Sequence, residues 1–435
     1  MKTTLARGTD GTPSRGEAVK DVAVIGGGAA GMTAAIFAAG AGASVTLYEK
    51  NGTGRLGRKL GITGKGRCNL TNECGIDDFL QNIASNPRFL YSAFASFPPR
   101  EVMSWFESLG VPLKTERGRR VFPVSDKASD VVFALTRELK RSGAGLRGSA
   151  VLSVEPCAEG FRIITGAGES LFRSVIIATG GKSYSVTGSD GSGYRLAGSL
   201  GHTLTPPVPA LVPLVAGGGI CARLQGLTLK NIAFSVRRIS DGRAVYEDFG
   251  ELLFAHFGLT GPVVLSASSV INREIAPGVF RAEIDLKPAL EPAVLDARLL
   301  SDFSSSLNRN FSNSLSALLP SKLIPVFVER TGIAPDRKIN SITKSEREKI
   351  LGLLKCFDLG IDALRPIDEA IVTSGGISVK ELDPKTMGSK LCEGLYFAGE
   401  IIDVDALTGG YNLQIAWSTG RLAGLSAAGY VSNLN

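Results

Sequence analysis

Residues 21–50, from Asp21 to Lys50, read DVAVIGGGAAGMTAAIFAAGAGASVTLYEK, and this stretch decides the fold. Val22, Ala23, Val24 and Ile25 form an apolar run of strand length, and Gly26, Gly28 and Gly31 follow at the G-x-G-x-x-G spacing. The first glycine permits a tight turn, the second lets backbone approach a pyrophosphate, and the third lets the next helix pack closely on the sheet. That helix, expected from about Ala29 to Gly40, points its free N–H groups and positive dipole end at phosphates. Ser44 to Tyr48 rebuilds a strand, and Glu49 stands at its carboxyl end. A carboxylate there can accept both hydroxyls of an adenosine ribose, and it would repel a 2′-phosphate. The stretch therefore reads as a βαβ unit that holds a dinucleotide. Val22 to Tyr48 carries no charge and exceeds the ~20 residues that span a bilayer, but its many glycines and alanines make it too weakly hydrophobic for a membrane span.

Composition bounds the rest. The 435 residues are 44% hydrophobic and 20% charged, with mean hydropathy +0.15, as in a globular protein of two or three domains with no membrane contact. A net charge of +7 and a pI near 9.1 leave RNA open as a partner without requiring it, so no nucleic acid is expected. Cys68, Cys74, Cys157, Cys221, Cys356 and Cys392 lie far apart, with no C-x-x-C pair and too few histidines nearby to complete a zinc site. No metal is expected, and the thiols read as reduced and mostly buried in a cytoplasmic protein. Residues 1–19 are basic and polar with no apolar h-region, which reads as a disordered tail rather than a secretory signal.

After Lys50, Arg55, Arg58, Lys59, Lys65 and Arg67 occur with no acid before Glu73, on a glycine-punctuated loop placed to fold back over an anionic ligand. Asp77 to Gly110 carries apolar residues at helical spacing, split by Pro98 and Pro99. Leu146 to Val154, Gly160 to Thr165 and Ser170 to Arg173 read as a small antiparallel meander. It leads into a buried strand, Val175 to Ala178, that ends in Thr179, Gly180 and Gly181. Composition then changes. Residues 206–290 read as a β-rich, barrel-like domain with strands at Leu227 to Arg237, Arg243 to Phe249, Val263 to Ile271 and Val279 to Leu286. Glu291 to Leu359 has helical spacing, so residues 291–366 form a small helical subdomain. Residues 367–435 return to the opening style, with a strand at Leu395 to Ala398 and a glycine-opened helix from Asn412. The expected class is α/β: a Rossmann-like nucleotide domain in two sequence halves, 20–205 and 367–435, with an insertion rooted near the carboxyl ends of its strands and placed to act as a lid.

Six stretches in order resemble the HI0933-like flavoproteins, also called BaiN or aminoacetone-oxidase-like FAD enzymes, of the two-dinucleotide-binding flavoprotein class. They are GGGAAGMTAAIFAA from Gly26, GRKLGITGKGRCNLTN from Gly57, GRRVFPVSDKASDV from Gly118, IIATGGKSY from Ile176, GELLFAHFGLTGP from Gly250 and LYFAGEIIDVDALTGGYNLQIAWSTG from Leu395. The loop SYSVTGSDGSG from Ser183 departs from the family pattern, which has proline after the tyrosine and a threonine-glycine-aspartate run. The resemblance implies FAD in extended form. Gly26, Gly28, Ala30 and Gly31 would line the pyrophosphate, with Glu49 on the adenosine ribose. Lys50, Arg58 and Lys59 would flank the phosphates and ribityl chain, Val151 would meet adenine through its backbone, and Ala178, Thr179 and Gly180 would close the cleft. Glu400 and Asp403 would meet ribityl or phosphate oxygens. Gly410, Tyr411, Asn412 and Leu413 would open the last helix beneath the ring, where the helix N-terminus favours negative charge at N1 and O2.

Such a protein is an FAD-dependent oxidoreductase passing a hydride between flavin N5 and a small organic substrate or NAD(P)H. A second G-x-G-x-x-G unit in a βαβ context is absent from the sequence, which leaves either an oxidase reoxidised by oxygen or a reductase whose NAD(P)H, a transient donor, shares the substrate cleft. His256, Arg67 and Cys68 are candidates for the ring's surroundings, and none earns a catalytic role. A flavin-dependent tRNA-modifying enzyme and a non-catalytic flavin-binding redox sensor are the alternative classes.

Overall fold

The computed structural model describes residues 19–434; all of the expected tail except residue 19 lies outside the described residues. The first strand, Lys20–Ile25, is central, and Val22, Ala23 and Val24 are fully buried, as a parallel strand covered on both faces requires. It pairs in parallel with Val45–Tyr48 on one side and with Gly168–Ile177 on the other. Gly145–Arg147 extends the parallel sheet beyond Val45–Tyr48, and Leu395–Phe397 extends it beyond Gly168–Ile177. The last strand comes from the far end of the chain, so both sequence halves complete one sheet.

Opposite Lys20–Ile25, the other edge of Gly168–Ile177 serves two partners. Its first half pairs antiparallel with Gly160–Thr165, which pairs with Val151–Cys157, while its second half pairs with Leu395–Phe397. The sequence reading split this strand into two and joined two others into one. Leu146 belongs to the parallel edge and Val151 opens the meander.

The nucleotide helix, Ala29–Gly40, packs on this sheet beside the closing helix, Tyr411–Ser432. Their contact is backbone to backbone. A Cβ on Gly420 would stand 2.6 Å from the Ala30 carbonyl oxygen, and one on Gly424 would stand 2.4 Å from that of Ala34. Trp417 of the closing helix is fully buried, donates its indole N–H to the Leu70 carbonyl at 2.9 Å and meets the Phe106 ring edge-on.

The chain leaves this half through Leu204–Ala210 and returns through Val372–Ile377, and these two segments pair antiparallel as a strap. Between them lies a closed barrel in the order Leu214–Ala216, Gly258–Thr260, Ala244–Ala255, Thr228–Arg238, Phe280–Asp285 and Phe357–Leu364. Phe234, Leu252, Phe254, Ala282, Ile284 and Phe357 are buried in it. Three longer helices, Pro292–Ser304, Ile324–Thr331 and Lys344–Lys355, share that apolar core, which is separate from the core of the nucleotide half. Thr343 and Glu346 form a reciprocal capping box at the start of the third.

Two expectations for this region are corrected. Val263 to Ile271 is a helix, Pro262–Ile271, not a strand. Pro262 sits in its first turn, and its small residues allow burial on nearly every side, which erases the helical period. Phe357–Leu364, within the stretch read as helical, is instead the strand that closes the barrel against Leu214–Ala216. Among the described residues no helix is long and apolar enough to cross a membrane.

The helix contact generates a paired test. Gly424→Ala forces a methyl against the Ala34 backbone and is expected to cost about 1–3 kcal/mol. Gly429→Ala lies on the exposed part of the same helix, where a methyl meets nothing, and is expected to stabilise by roughly 0.4–1 kcal/mol. Denaturant unfolding of the two variants checks the opposite signs, and equal shifts would show that the helices do not approach this closely.

Candidate functional site

A cavity of about 1070 Å³ opens at the carboxyl ends of Lys20–Ile25, Val45–Tyr48 and Gly168–Ile177, the edge where open α/β sheets bind ligands. Two helices begin on its wall. No side chain caps the nucleotide helix at Gly28 or the closing helix at Gly410, so first-turn N–H groups of both are left for a ligand. Gly26 adopts φ +112°, and a Cβ on it would stand 2.4 Å from the Ala178 carbonyl oxygen. A Cβ on Gly28 would meet nothing, because that position faces the open cavity together with Ala30.

Glu49 lies on the wall with its carboxylate fixed at both ends. Oε2 accepts the Gly27 N–H at 3.0 Å, and Oε1 accepts the backbone and side-chain N–H groups of Asn51, both at 2.9 Å. It ties the glycine turn to the end of the second strand. Lys50, also on the wall, forms an ion pair of 2.6 Å with Asp190 of the divergent loop after Ser183. Burial opposes ionisation of Asp190, but Lys50 and the hydroxyl and N–H of Ser192 outweigh that and hold its carboxyl down at about 2. The loop thus closes over the nucleotide edge.

Lys59 and Glu400, expected separately as ligand contacts, are partners. Lys59 Nζ lies 2.8 and 3.0 Å from the two carboxylate oxygens, and Ser183 Oγ joins both groups. Thr373 donates its backbone N–H to Glu400 at 2.8 Å. The pair joins Arg58–Gly66, the segment after the second strand, to the turn Gly399–Ile401 after the last, and both residues remain on the wall. Arg58, Val151, Ala178, Thr179 and Gly180 line the cavity, as do Gly410, Asn412 and Leu413.

Three expected contacts are not on the wall. Gly31 is a packing glycine, since a Cβ there would stand 1.8 Å from the Gly26 carbonyl oxygen. Asp403 turns to the strap, where Thr205 Oγ1 donates to its Oδ2 at 2.8 Å. Tyr411 packs its ring against Phe79 at 4.9 Å. Neither His256, Arg67 nor Cys68 borders the cavity. His256 is exposed at a hairpin apex of the barrel, and Arg67 is held by Glu116 and Asp126 over the Phe122 ring. Cys68 is fully buried, and its thiol is pushed up to about 12 by desolvation, which leaves it unreactive. None of the six cysteines is in a disulfide, and only Cys68 and Cys221 are buried.

Sequence reasoning passed over other wall residues. Asp190 sits in the stretch that departs from the family wording, and Asn69 sits inside a quoted motif as an ordinary polar residue. Lys65 and Arg55, which the sequence places on the basic loop, do line the wall, with no ion pair among the described residues. The insertion reaches the cavity through Leu211 and, indirectly, through Ser266 of the helix Pro262–Ile271, whose Oγ lies 3.3 Å from that of Thr408. None of the six barrel strands contributes to the wall.

The wall fits the cofactor that the sequence implies. It offers an open glycine cradle, an acid at the end of the second strand, two uncapped helix starts, and two buried oxygens without partners, Thr179 Oγ1 and Asn69 Oδ1. Unmet buried polar atoms that border a cavity are groups reserved for a ligand.

The Lys59–Glu400 pair is mostly shielded, with about a fifth of each side chain exposed. Lys59→Met is therefore expected to destabilise the protein, and Glu400→Gln to recover part of the loss, with a coupling of about 0.5–3 kcal/mol in a double-mutant cycle. Additive effects in the ligand-free protein would mean that the contact carries no energy.

Residues 20–426 match the HI0933-like protein Rossmann domain. A 3-dehydro-bile acid delta(4,6)-reductase from Clostridium scindens is 34% identical over 94% of this chain and 98% of its own length. A ribosomal RNA dihydrouridine synthase from Escherichia coli is 31% identical over 92% of this chain and 96% of its own length. Among solved structures, a mutated FrdA of Escherichia coli quinol fumarate reductase is similar in fold, with a TM-score of 0.51 at 16% identity, covering 96% of this chain and 71% of that one. With a family match across both halves of its nucleotide domain and relatives aligned over nearly their whole length, the chain belongs to the HI0933-like family.

Proposed function

We propose that the protein reduces a carbon–carbon double bond conjugated with a carbonyl group, using NAD(P)H as a transient electron donor. The observation that carries this reading is the apolar part of the cavity lining. Besides the uncapped start of the closing helix, the wall carries Ile62, Leu211, Ile371, Val372 and Leu407, with Lys65 among its unpaired cations. Ile62 and Ile371 are 46% and 37% exposed, large apolar side chains left uncovered beside the opening. Such a wall takes an apolar body, excludes water around it, and leaves cations and the helix N–H groups to meet a polar end.

Bound FAD supplies reversible two-electron chemistry at N5 of its ring. The glycine turn, Glu49 and the nucleotide helix would hold the adenosine diphosphate end, and the closing-helix N-terminus would favour negative charge on a ring bound against it. In the net reaction a hydride adds to the carbon β to the carbonyl, a proton adds to the α carbon, and NAD(P)H leaves as NAD(P)+. Polarising the carbonyl makes the β carbon electrophilic, and Lys65, three residues along from the wall residue Ile62, is one of the wall cations free of an ion pair among the described residues.

The relatives' names support the bond class. One describes reduction in a steroid carrying a 3-oxo group and conjugated double bonds, and the other describes saturation of the uracil ring, whose double bond is conjugated with a carbonyl. The net charge of +7 favours a second reading in which the double bond belongs to a uridine in RNA. The uncovered isoleucines favour the small apolar substrate.

Anaerobic mixing of FAD-loaded protein with NADH or NADPH is expected to bleach the flavin absorption, and a 3-oxo-Δ4,6 steroid is expected to restore it within turnover time. Restoration by a ribosomal RNA fragment and not by the steroid would move the assignment to RNA. Bleaching without restoration by either acceptor would sink the reductase reading and leave a flavin-holding sensor. Glu49→Ala is expected to weaken FAD binding by roughly ten- to a hundredfold, the worth of hydrogen bonds to a carboxylate. Wild-type FAD retention through dialysis would place Glu49 away from the ribose.

A further inference from the structure

We infer that Asn69 is a ring-holding residue whose buried side-chain oxygen accepts a hydrogen bond from the pyrimidine edge of the flavin. The inference rests on the FAD reading and adds to it a residue that neither the glycine fingerprint nor the acid positions point to.

The Asn69 Oδ1 atom is buried on the cavity wall and has no hydrogen-bond partner among the described residues. A buried amide oxygen without a donor is costly, and in native proteins it marks a group reserved for water, an ion or a ligand. Its position narrows the choice. A Cβ on Gly410 would stand 3.0 Å from this oxygen, so Asn69 presses against the residue that opens the closing helix. The helix start offers only N–H donors, which suit carbonyl oxygens. The pyrimidine edge of an isoalloxazine carries one N–H, at N3, between two carbonyl oxygens. A wall of donors alone would leave that N–H unmet, and Asn69 supplies the missing acceptor.

The side chain is held there by its neighbours. Leu70 accepts the Trp417 indole N–H at 2.9 Å through its carbonyl, Thr71 Oγ1 donates to Gln414 Oε1 at 2.6 Å, and Asn72 Nδ2 donates to the Gly409 carbonyl at 3.1 Å. Each of the three residues after Asn69 is thus tied to the closing helix or its glycine turn. On the other side, Lys65 and Cys68 both adopt φ +60°, a left-handed conformation unusual for residues with side chains. A segment pinned at one end and bent this way at the other fixes where Asn69 points.

The test uses the full-length chain loaded with FAD, and it reads the dissociation constant by flavin fluorescence and the two-electron midpoint potential by dye-coupled titration. Asn69→Ala removes the acceptor and is expected to raise the FAD dissociation constant about tenfold. Asn69→Asp keeps the shape and adds an anion, which disfavours the electron-rich reduced ring. It is expected to shift the reduction equilibrium at least tenfold toward the oxidised form, about 30 mV for a two-electron couple. If Asn69→Ala fails to fold, the near-isosteric Asn69→Asp carries the test alone. Variants with wild-type affinity and potential overturn the inference while leaving the FAD reading intact. A wild-type chain that takes up no FAD overturns both.

Discussion

The structure depends on a contact made almost without side chains, between the nucleotide helix and the closing helix. Gly420 and Gly424 stand one helical turn apart, and each meets the backbone of Ala30 or Ala34, also one turn apart. Glycine inside a helix costs about 1 kcal/mol relative to alanine, so two of them on one face need a compensating gain. The gain is the close approach itself, which aligns two helices from opposite ends of the chain and brings both N-termini to one cavity. One start lies at the glycine turn and the other at Gly410, and both border the cavity. A side chain between the helices would splay them and separate the two positive ends that the ligand needs together.

Charge on the wall is more balanced than the basic loop suggests. Of the five cations between Arg55 and Arg67, Lys59 is neutralised by Glu400, and Arg67 is drawn away by Glu116 and Asp126. Arg55, Arg58 and Lys65 line the cavity without ion pairs among the described residues. Lys50 carries its own acid in Asp190. A site built this way grips an anionic cofactor through helix N–H groups and a few free cations. Its paired charges serve as struts that join the glycine-rich loop, the divergent loop and the turn after the last strand. The struts explain why Lys59 and Glu400 lie on the wall while the geometry assigns their strongest contacts to each other.

The nucleotide half was legible because its chemistry is local. An apolar run buried on both faces, three glycines at fixed spacing and an acid at the next strand end all fall within one stretch of thirty residues, and each has a single structural use. Legibility failed where burial or distant partners erased the pattern. Pro262–Ile271 has Val263, Val264, Ala267 and Ile271 buried along with Ser266, Ser268 and Ser269. With only Pro262 and Val270 exposed it shows no clear period, and its paired valines read as strand. Asp403 and Tyr411 look like ligand contacts in sequence, but Thr205 and Phe79 claim them from far along the chain. Asn69 shows the reverse case, since nothing local distinguishes it and only the folded position of Gly410 gives its oxygen a role.

The joint between the two apolar cores is where substrate and cofactor sides meet. Ala210, Leu211 and Val372 form a small cluster of their own, outside both larger cores. The Leu211 and Val212 N–H groups donate to Ser269 Oγ and Ser268 Oγ at 3.0 and 2.9 Å, so the helix Pro262–Ile271 anchors the strap to the barrel. Leu211, Ile371 and Val372 also line the cavity, whereas the barrel strands do not. Part of the apolar wall is therefore set at the strap rather than by the barrel interior, and Ile62 and Leu407 of the nucleotide half complete it. This arrangement divides one cavity: the strand ends and the two helix starts supply its polar wall, and Leu211, Ile371 and Val372 at the strap supply part of its apolar wall.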